Sequence, residues 1–323
     1  MRRADDASQR LVMSHLDFEG RVALITGAGS GMGREHALLL AQRGARVVVN
    51  DIAGEKAETV ARMIVEAGGE AVADTHDIIT GAAALVETAI DAFGRLDVVI
   101  NNAGISRFGR FWETEPEAWW HVFDTHFRGA VEVSRHAFPH LIASGSGRLI
   151  NISSSAMLGA PQFSAYGAAK AAIWGLGNAL AIEGRDVGVQ VTTVQPSAWT
   201  PMTEDAFDNP AIKKVLREKL PPAAVSAFVA WLAHQDTRAY GGCFQTSGAS
   251  AGRGVFAAYP RVLLAESTPE AWAEAADALE AGGALTPLTS TSESFRAELV
   301  FLDPSMEDEI PRDAADVTKR DPD

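Results

Sequence analysis

Cysteine is almost missing from this chain: Cys243 is the only one in 323 residues. An intrachain disulfide is therefore excluded, and a reducing compartment is the simplest setting. Basic residues are also scarce, 28 Lys and Arg against 42 Asp and Glu, for a net charge of −14. That balance argues against a nucleic acid or an anionic membrane surface as partner, since both need a basic face. No apolar run approaches the roughly 18 residues of a membrane span. Residues 1–11 mix both charges and lack the apolar segment of a signal peptide. A soluble, cytoplasmic protein is the expectation. What the chain does have is a globular composition, 47% hydrophobic and 22% charged, and enough length for one large α/β domain.

The apolar pattern alternates in period. Short runs over residues 22–25, 46–50, 71–73, 96–100, 148–152 and 189–194 read as buried strands. Segments over 34–43, 55–67, 82–93 and 119–143 read as helices, as does the one carrying Tyr166 and Lys170. A last strand–helix pair is expected near 221–246. This alternation predicts βαβ units and a parallel sheet covered by helices on both faces. Residues 1–18 read as a loose leader, with order beginning at Arg21, and 19–250 as the domain. Residues 251–323 read as an extension with one helix, opened by Thr268 and Pro269, and an acidic tail.

Four features carry chemistry. Thr26-Gly27-x-Gly29-x-Gly31-x-Gly33 falls between the first strand and the first helix, where backbone N–H groups and a helix amino terminus receive a pyrophosphate. Asp51 closes the second strand, where a carboxylate accepts hydrogen bonds from ribose hydroxyls and repels a 2′-phosphate. NAD is therefore expected over NADP, with Arg34 the one nearby cation that speaks for the phosphate. Asp77 closes the third strand, beside the expected place of the adenine. Tyr166 and Lys170 lie one helical turn apart on one face, and an ammonium near a phenol favours the phenolate.

Together with Asn101-Asn102-Ala103-Gly104 and a serine after the fifth strand, these motifs resemble the short-chain dehydrogenase/reductase family over residues 19–250. The resemblance implies a single doubly wound, Rossmann-type domain with a seven-stranded parallel sheet. It implies a nicotinamide cofactor held by Gly27, Ser30, Gly31, Met32, Gly33, Asp51, Asp77, Ile78, Asn102, Tyr166, Lys170 and Thr200, with no metal. Tyr166 becomes the proton donor or acceptor. Lys170 becomes the group that holds the nicotinamide ribose and depresses the phenol, and Asn101 and Asn102 tie the fourth strand to the cofactor. Spacing to the tyrosine selects Ser153 as the serine that orients the substrate oxygen, whereas register along the strand selects Ser154. We take Ser154, because a strand tolerates insertion less well than a loop.

His126 stands where the family usually has an Asn that holds a relay water, and it is expected to serve the proton path. The segment around His126, with Val48 to Asp51 and Ala181 to Gly184, is similar to the dehydrogenase domains of peroxisomal multifunctional β-oxidation enzymes, which oxidise (3R)-hydroxyacyl-CoA thioesters with NAD. The implied activity is oxidation of a secondary alcohol, a 3-hydroxyacyl thioester or a steroid-like alcohol. An NADPH-dependent ketone reductase and a non-catalytic nucleotide-binding protein are the alternatives. Phe108, Phe111, Trp112, Met157, Phe163, Trp199, Met202 and Phe207 are expected to form an apolar substrate wall. Residues 202–220 are expected to act as a lid whose Lys213, Lys214, Arg217 and Lys219 face phosphates. The resemblance also implies a homodimer or homotetramer.

Overall fold

The computed structural model describes residues 16–200, 209–239, 241–288, 290–307 and 309. Most of the expected leader, the positions of Met202 and Phe207, and the acidic end of the chain therefore lie outside the described residues. The chain divides after Gly252 into two compact units.

The first unit is a doubly wound sheet. Strands β1 (Val22–Thr26), β2 (Arg46–Asn50), β3 (Glu70–Asp74), β4 (Val98–Asn101), β5 (Arg148–Ile152), β6 (Gln190–Ser197) and β7 (Cys243–Ser247) pair in parallel, in the order β3-β2-β1-β4-β5-β6-β7. An eighth strand, β8 (Ser250–Gly254), follows β7 after two residues and takes the open edge, so the sheet has one strand more than expected. β1 and β4 are buried at every position, as helices on both faces require.

Helices α1 (Gly31–Gln42) and α2 (Gly54–Glu66) cover one face through Ala37, Leu40, Val60 and Ile64. Helix α3 (Ala82–Phe93) covers the other through Leu85, Val86 and Ala89. The helix expected over 119–143 is α4 (Pro116–Phe123) and α5 (Gly129–Ala143), joined by one π-helical turn, Asp124–Arg128. That wider turn carries His126, which is buried. Such turns occur often at functional sites. Helix α6 (Ser164–Arg185) carries Tyr166 and Lys170. Helices α7 (Pro210–Lys219) and α8 (Pro222–Ala233) precede β7, so the last pair runs helix then strand. Among the described residues no helix is long and apolar enough to cross a membrane.

Order begins earlier than Arg21. Phe18 is buried, its N–H donates to the Arg43 carbonyl at 2.7 Å, and its ring meets His234 edge-on at 5.4 Å.

The second unit holds an antiparallel pair, β9 (Phe256–Ala258) with β10 (Thr286–Leu288), and helices α9 (Pro269–Glu274), α10 (Ala276–Glu280) and α11 (Thr291–Leu302). The expected single helix after Thr268 is thus two short ones, and α11 was not anticipated. Its signal is Ser290 followed by Glu293, with the Ser290 hydroxyl accepting the Glu293 N–H at 3.1 Å, one half of a capping box. None of this unit's described side chains is fully buried.

Candidate active site

Strand order reverses direction at β1: β2 lies on one side and β4 on the other. In such sheets the ligand crevice opens beyond the carboxyl ends of the strands at this point. Here a crevice of about 490 Å³ is lined by Gly27, Ser30, Gly31, Met32, Asp51, Asp77, Ile78, Asn102 and Thr200, among others. These nine are the expected cofactor residues apart from Gly33, Tyr166 and Lys170.

The loop is tied down from beneath. Thr26 Oγ1 accepts the N–H groups of Asn102 and Ala103, both at 3.0 Å, and the Asn102 amide donates to the carbonyls of Thr26 (3.0 Å) and Gly27 (3.2 Å). A Cβ at Gly33 would stand 2.3 Å from the Gly27 oxygen, so only glycine lets α1 start this close to the loop. Helix α1 has no side-chain hydrogen bond at its Ser30 cap and no acidic residue in its first turn. Its amino-terminal dipole is left for an anion in the crevice. These residues fit a dinucleotide.

Asn101 behaves differently from its neighbour. Its amide donates to Ser134 Oγ and Asn151 Oδ1, both at 2.9 Å, inside the β4–β5–α5 packing. It locks two strands together and does not reach the crevice, because alternate residues of a strand face opposite sides.

Asp51 braces the loop with both oxygens: Oδ2 accepts the Gly29 N–H at 3.0 Å and Oδ1 that of Ala53 at 2.9 Å. Beside it sits a cluster not anticipated from sequence. Buried Asp74 accepts from Asn50 Nδ2 (2.9 Å), Thr88 Oγ1 (2.7 Å), the His76 N–H (3.0 Å) and His76 Nδ1 (2.8 Å). Burial acts to raise this carboxyl, but the donors outweigh it and hold its pKa below the ordinary value. His76 lines the crevice. Only its position just past a strand end could have flagged it.

Beyond β5 the chemistry-bearing residues converge on one another. Ser154 caps a short 3₁₀ turn, its Oγ accepting the Ala156 N–H at 3.1 Å, and it also hydrogen-bonds the Tyr166 phenol. Ser153 points away: it is buried, and its hydroxyl donates to the Lys170 carbonyl at 2.7 Å. Lys170 Nζ lies 5.5 Å from the centre of the Tyr166 ring and donates to the Ile152 carbonyl at 2.6 Å.

The expected depression of the phenol by the ammonium is corrected here. Burial pushes Tyr166 above its ordinary value, with the Ser154 hydrogen bond opposing it, and burial brings Lys170 down to about 7. Both groups sit in a low-dielectric pocket that favours neutral forms, and the amine is turned to the strand carbonyl.

His126 connects this group to the crevice. Its ring lies edge-on to Tyr166 at 4.9 Å, and Nε2 meets the Ile105 backbone twice, 2.7 Å from the carbonyl, to which it donates when protonated, and 3.2 Å from the N–H. A Cβ on Gly104 would stand 2.0 Å from the ring, so that glycine is the ring's seat. Gly104 and Ile105 line the crevice. Burial, with the nearby Lys170 charge, holds His126 well below its ordinary pKa, so the ring is neutral. Its buried Nδ1 has no partner among the described residues.

From the phenol an aromatic series leads outward. Phe163 lies 5.5 Å from Tyr166 and Phe108 lies 4.4 Å from Phe163, while Phe111 and Trp112 are exposed. Met157 turns inward instead, its sulfur accepting from Gln195 Nε2 at 3.0 Å. The Arg217 guanidinium of α7 stands 5.3 Å over the Trp199 ring, and Lys214 and Lys219 are exposed on the same helix. Among the described residues no group of three His, Cys, Asp or Glu is placed to hold a metal ion.

The sequence profile of the short chain dehydrogenase family matches residues 21–211. The chain is 40% identical over 242 residues to mouse peroxisomal multifunctional enzyme type 2, which covers 72% of this chain and 32% of the mouse protein. It thus spans about a third of that relative's length. Among solved structures it is similar to a short chain dehydrogenase from Mycobacterium avium, with a TM-score of 0.75, 36% identity, and coverage of 85% of this chain and 98% of that one. It is also similar to the full-length peroxisomal multifunctional enzyme type 2 of Drosophila melanogaster, with a TM-score of 0.76, 30% identity, and coverage of 90% and 51%.

Proposed function

Because this chain belongs to the short-chain dehydrogenase family, an oxidoreductase family that uses a nicotinamide dinucleotide, we propose that it oxidises the 3-hydroxyl of a hydroxyacyl thioester with NAD. The observation that carries this reading is the convergence of Ser154, Tyr166 and Lys170 one ring beyond Gly104 and Ile105 of the glycine-lined crevice. When bound, the nicotinamide supplies the hydride acceptor. Tyr166 Oη exchanges the hydroxyl proton with the substrate oxygen, and Ser154 Oγ orients that oxygen by a hydrogen bond. Lys170, brought to about 7 by burial, exchanges a proton near neutral pH and so carries away the proton that the phenol has taken from the substrate. In the tautomer protonated at Nε2, His126 Nδ1, bare and on a ring held neutral, offers a hydrogen-bond acceptor beside this group.

NAD is favoured over NADP by Asp51, whose carboxylate stands at the ribose end of the crevice. The thioester class is supported by the aromatic series leading out from Tyr166 and by the basic face of α7. The likeness to the multifunctional enzymes supports it as well. We also propose a homo-oligomer, for which the exposed apolar groove between α5 and α6, lined by Phe138, Ile142, Leu176 and Leu180, is a suitable face. Turnover of 3-hydroxyacyl-CoA thioesters, steroid alcohols and simple secondary alcohols with NAD and with NADP is the test. We expect thioester oxidation with NAD to lead; absence of turnover for every pair would end the proposal.

A further inference from the structure

We infer that His76 reads the nucleobase of the dinucleotide, its Nε2 accepting a hydrogen bond from the exocyclic amino group of adenine. The inference rests on the proposed use of the crevice for NAD and adds a specificity residue that neither motif nor family places there.

The geometry runs from the sheet outward. β2 and β3 end side by side, with Asn50 paired to Asp74 in register. The Asn50 amide donates to Asp74 Oδ1 and to the His76 carbonyl, both at 2.9 Å, which fixes the backbone as it leaves β3. Asp51, the next residue along β2, marks the ribose end of the crevice, so the base belongs beyond it, over the end of β3. His76 lines the crevice there together with Asp77 and Ile78.

The imidazole is oriented by its other nitrogen. Nδ1 lies 2.8 Å from Asp74 Oδ2, and Asp74 is buried with donors on both oxygens and is held ionised by them. A carboxylate accepts only, so Nδ1 is the nitrogen that carries the proton toward it, and in that tautomer Nε2 carries the lone pair. The ring rests against Gly81, where a Cβ would come within 3.0 Å of His76 Cβ and 3.3 Å of Cδ2. The side chain is 47% exposed, and among the described residues Nε2 has no protein partner. It is an oriented acceptor without a donor, at the mouth of the base site.

Asp77 supplies a second acceptor. Its Oδ1 takes the Ile79 N–H at 2.7 Å, which leaves Oδ2 for a ligand. An amino group has two protons, and His76 Nε2 and Asp77 Oδ2 offer one acceptor for each. A hypoxanthine ring, with an oxygen in place of the amino group, presents a lone pair to both.

The test compares the dissociation constants of NAD and of its hypoxanthine analogue, by calorimetric titration of wild-type protein and of the His76→Ala and His76→Gln variants. Wild type should prefer the adenine form by tenfold or more. His76→Ala should lower that preference about fivefold, the factor expected of one neutral hydrogen bond, and His76→Gln, which keeps an acceptor, should retain most of it. An unchanged preference in His76→Ala, or none in wild type, overturns the inference while leaving the dehydrogenase reading intact. Failure of wild type to bind either dinucleotide overturns both.

Discussion

Replacing Lys170 with methionine should stabilise the free protein while removing its activity. The amine is buried and brought from 10.5 to about 7. At about 1.36 kcal/mol for each pKa unit, the charged form therefore costs the native state ~5 kcal/mol. Against this, the variant loses the donor to the Ile152 carbonyl, and a buried acceptor left alone costs about 1–3 kcal/mol. A net gain of ~2–4 kcal/mol is expected at pH 6. The sign of the pH dependence follows from the lowered value. Between about pH 7 and 10.5 the unfolded chain binds a proton on Lys170 that the native protein has released. Wild-type stability therefore rises with pH through this window, and the advantage of the variant closes. Urea midpoints at pH 6, 7.5 and 9 measure it. A variant less stable than wild type at pH 6, or a gap that stays constant from pH 6 to 9, refutes the reasoning.

Other substitutions separate neighbouring roles. Ser154→Ala should lower kcat by about 10²-fold or more, as loss of a donor to the reacting oxygen does. Ser153→Ala should leave kcat within threefold and cost only about 1 kcal/mol of stability through its bond to the Lys170 carbonyl; steady-state kinetics and melts on both variants distinguish the two. Gly33→Ala places a methyl 2.3 Å from the Gly27 oxygen, so the loop must shift. Dinucleotide binding, followed by titration, should weaken by about 10²-fold. Asp51→Ala should shift the ratio of kcat/KM for NAD over NADP by about 10- to 100-fold toward NADP, the range of a hydrogen bond to a charged group.

The parallel sheet was legible because β1, β2 and β4 carry continuous apolar runs and helices alternate with the strands. The edge strand β8 was not, since Ser250–Gly254 is small, polar and exposed and carries no apolar signal. The glycine loop and the Tyr166–Lys170 spacing were visible as local patterns. The choice of Ser154 over Ser153 turned on register, and the structure separates the two side chains by the direction each faces. What sequence did not reveal depends on burial. The direction of the Tyr166 shift, the inward turn of Asn101 and the carboxylate behind His76 arise only when distant segments pack. The expected cytoplasmic location rested on a lone thiol and on the lack of a signal-peptide segment or a membrane span, none of which gives an address; the mouse relative is named for the peroxisome.

The most direct measurement is the kinetics of Tyr166→Phe with NAD and a 3-hydroxyacyl-CoA thioester. The account predicts a fall in kcat of about 10²–10⁴-fold with dinucleotide binding retained. Turnover within tenfold of wild type would contradict it.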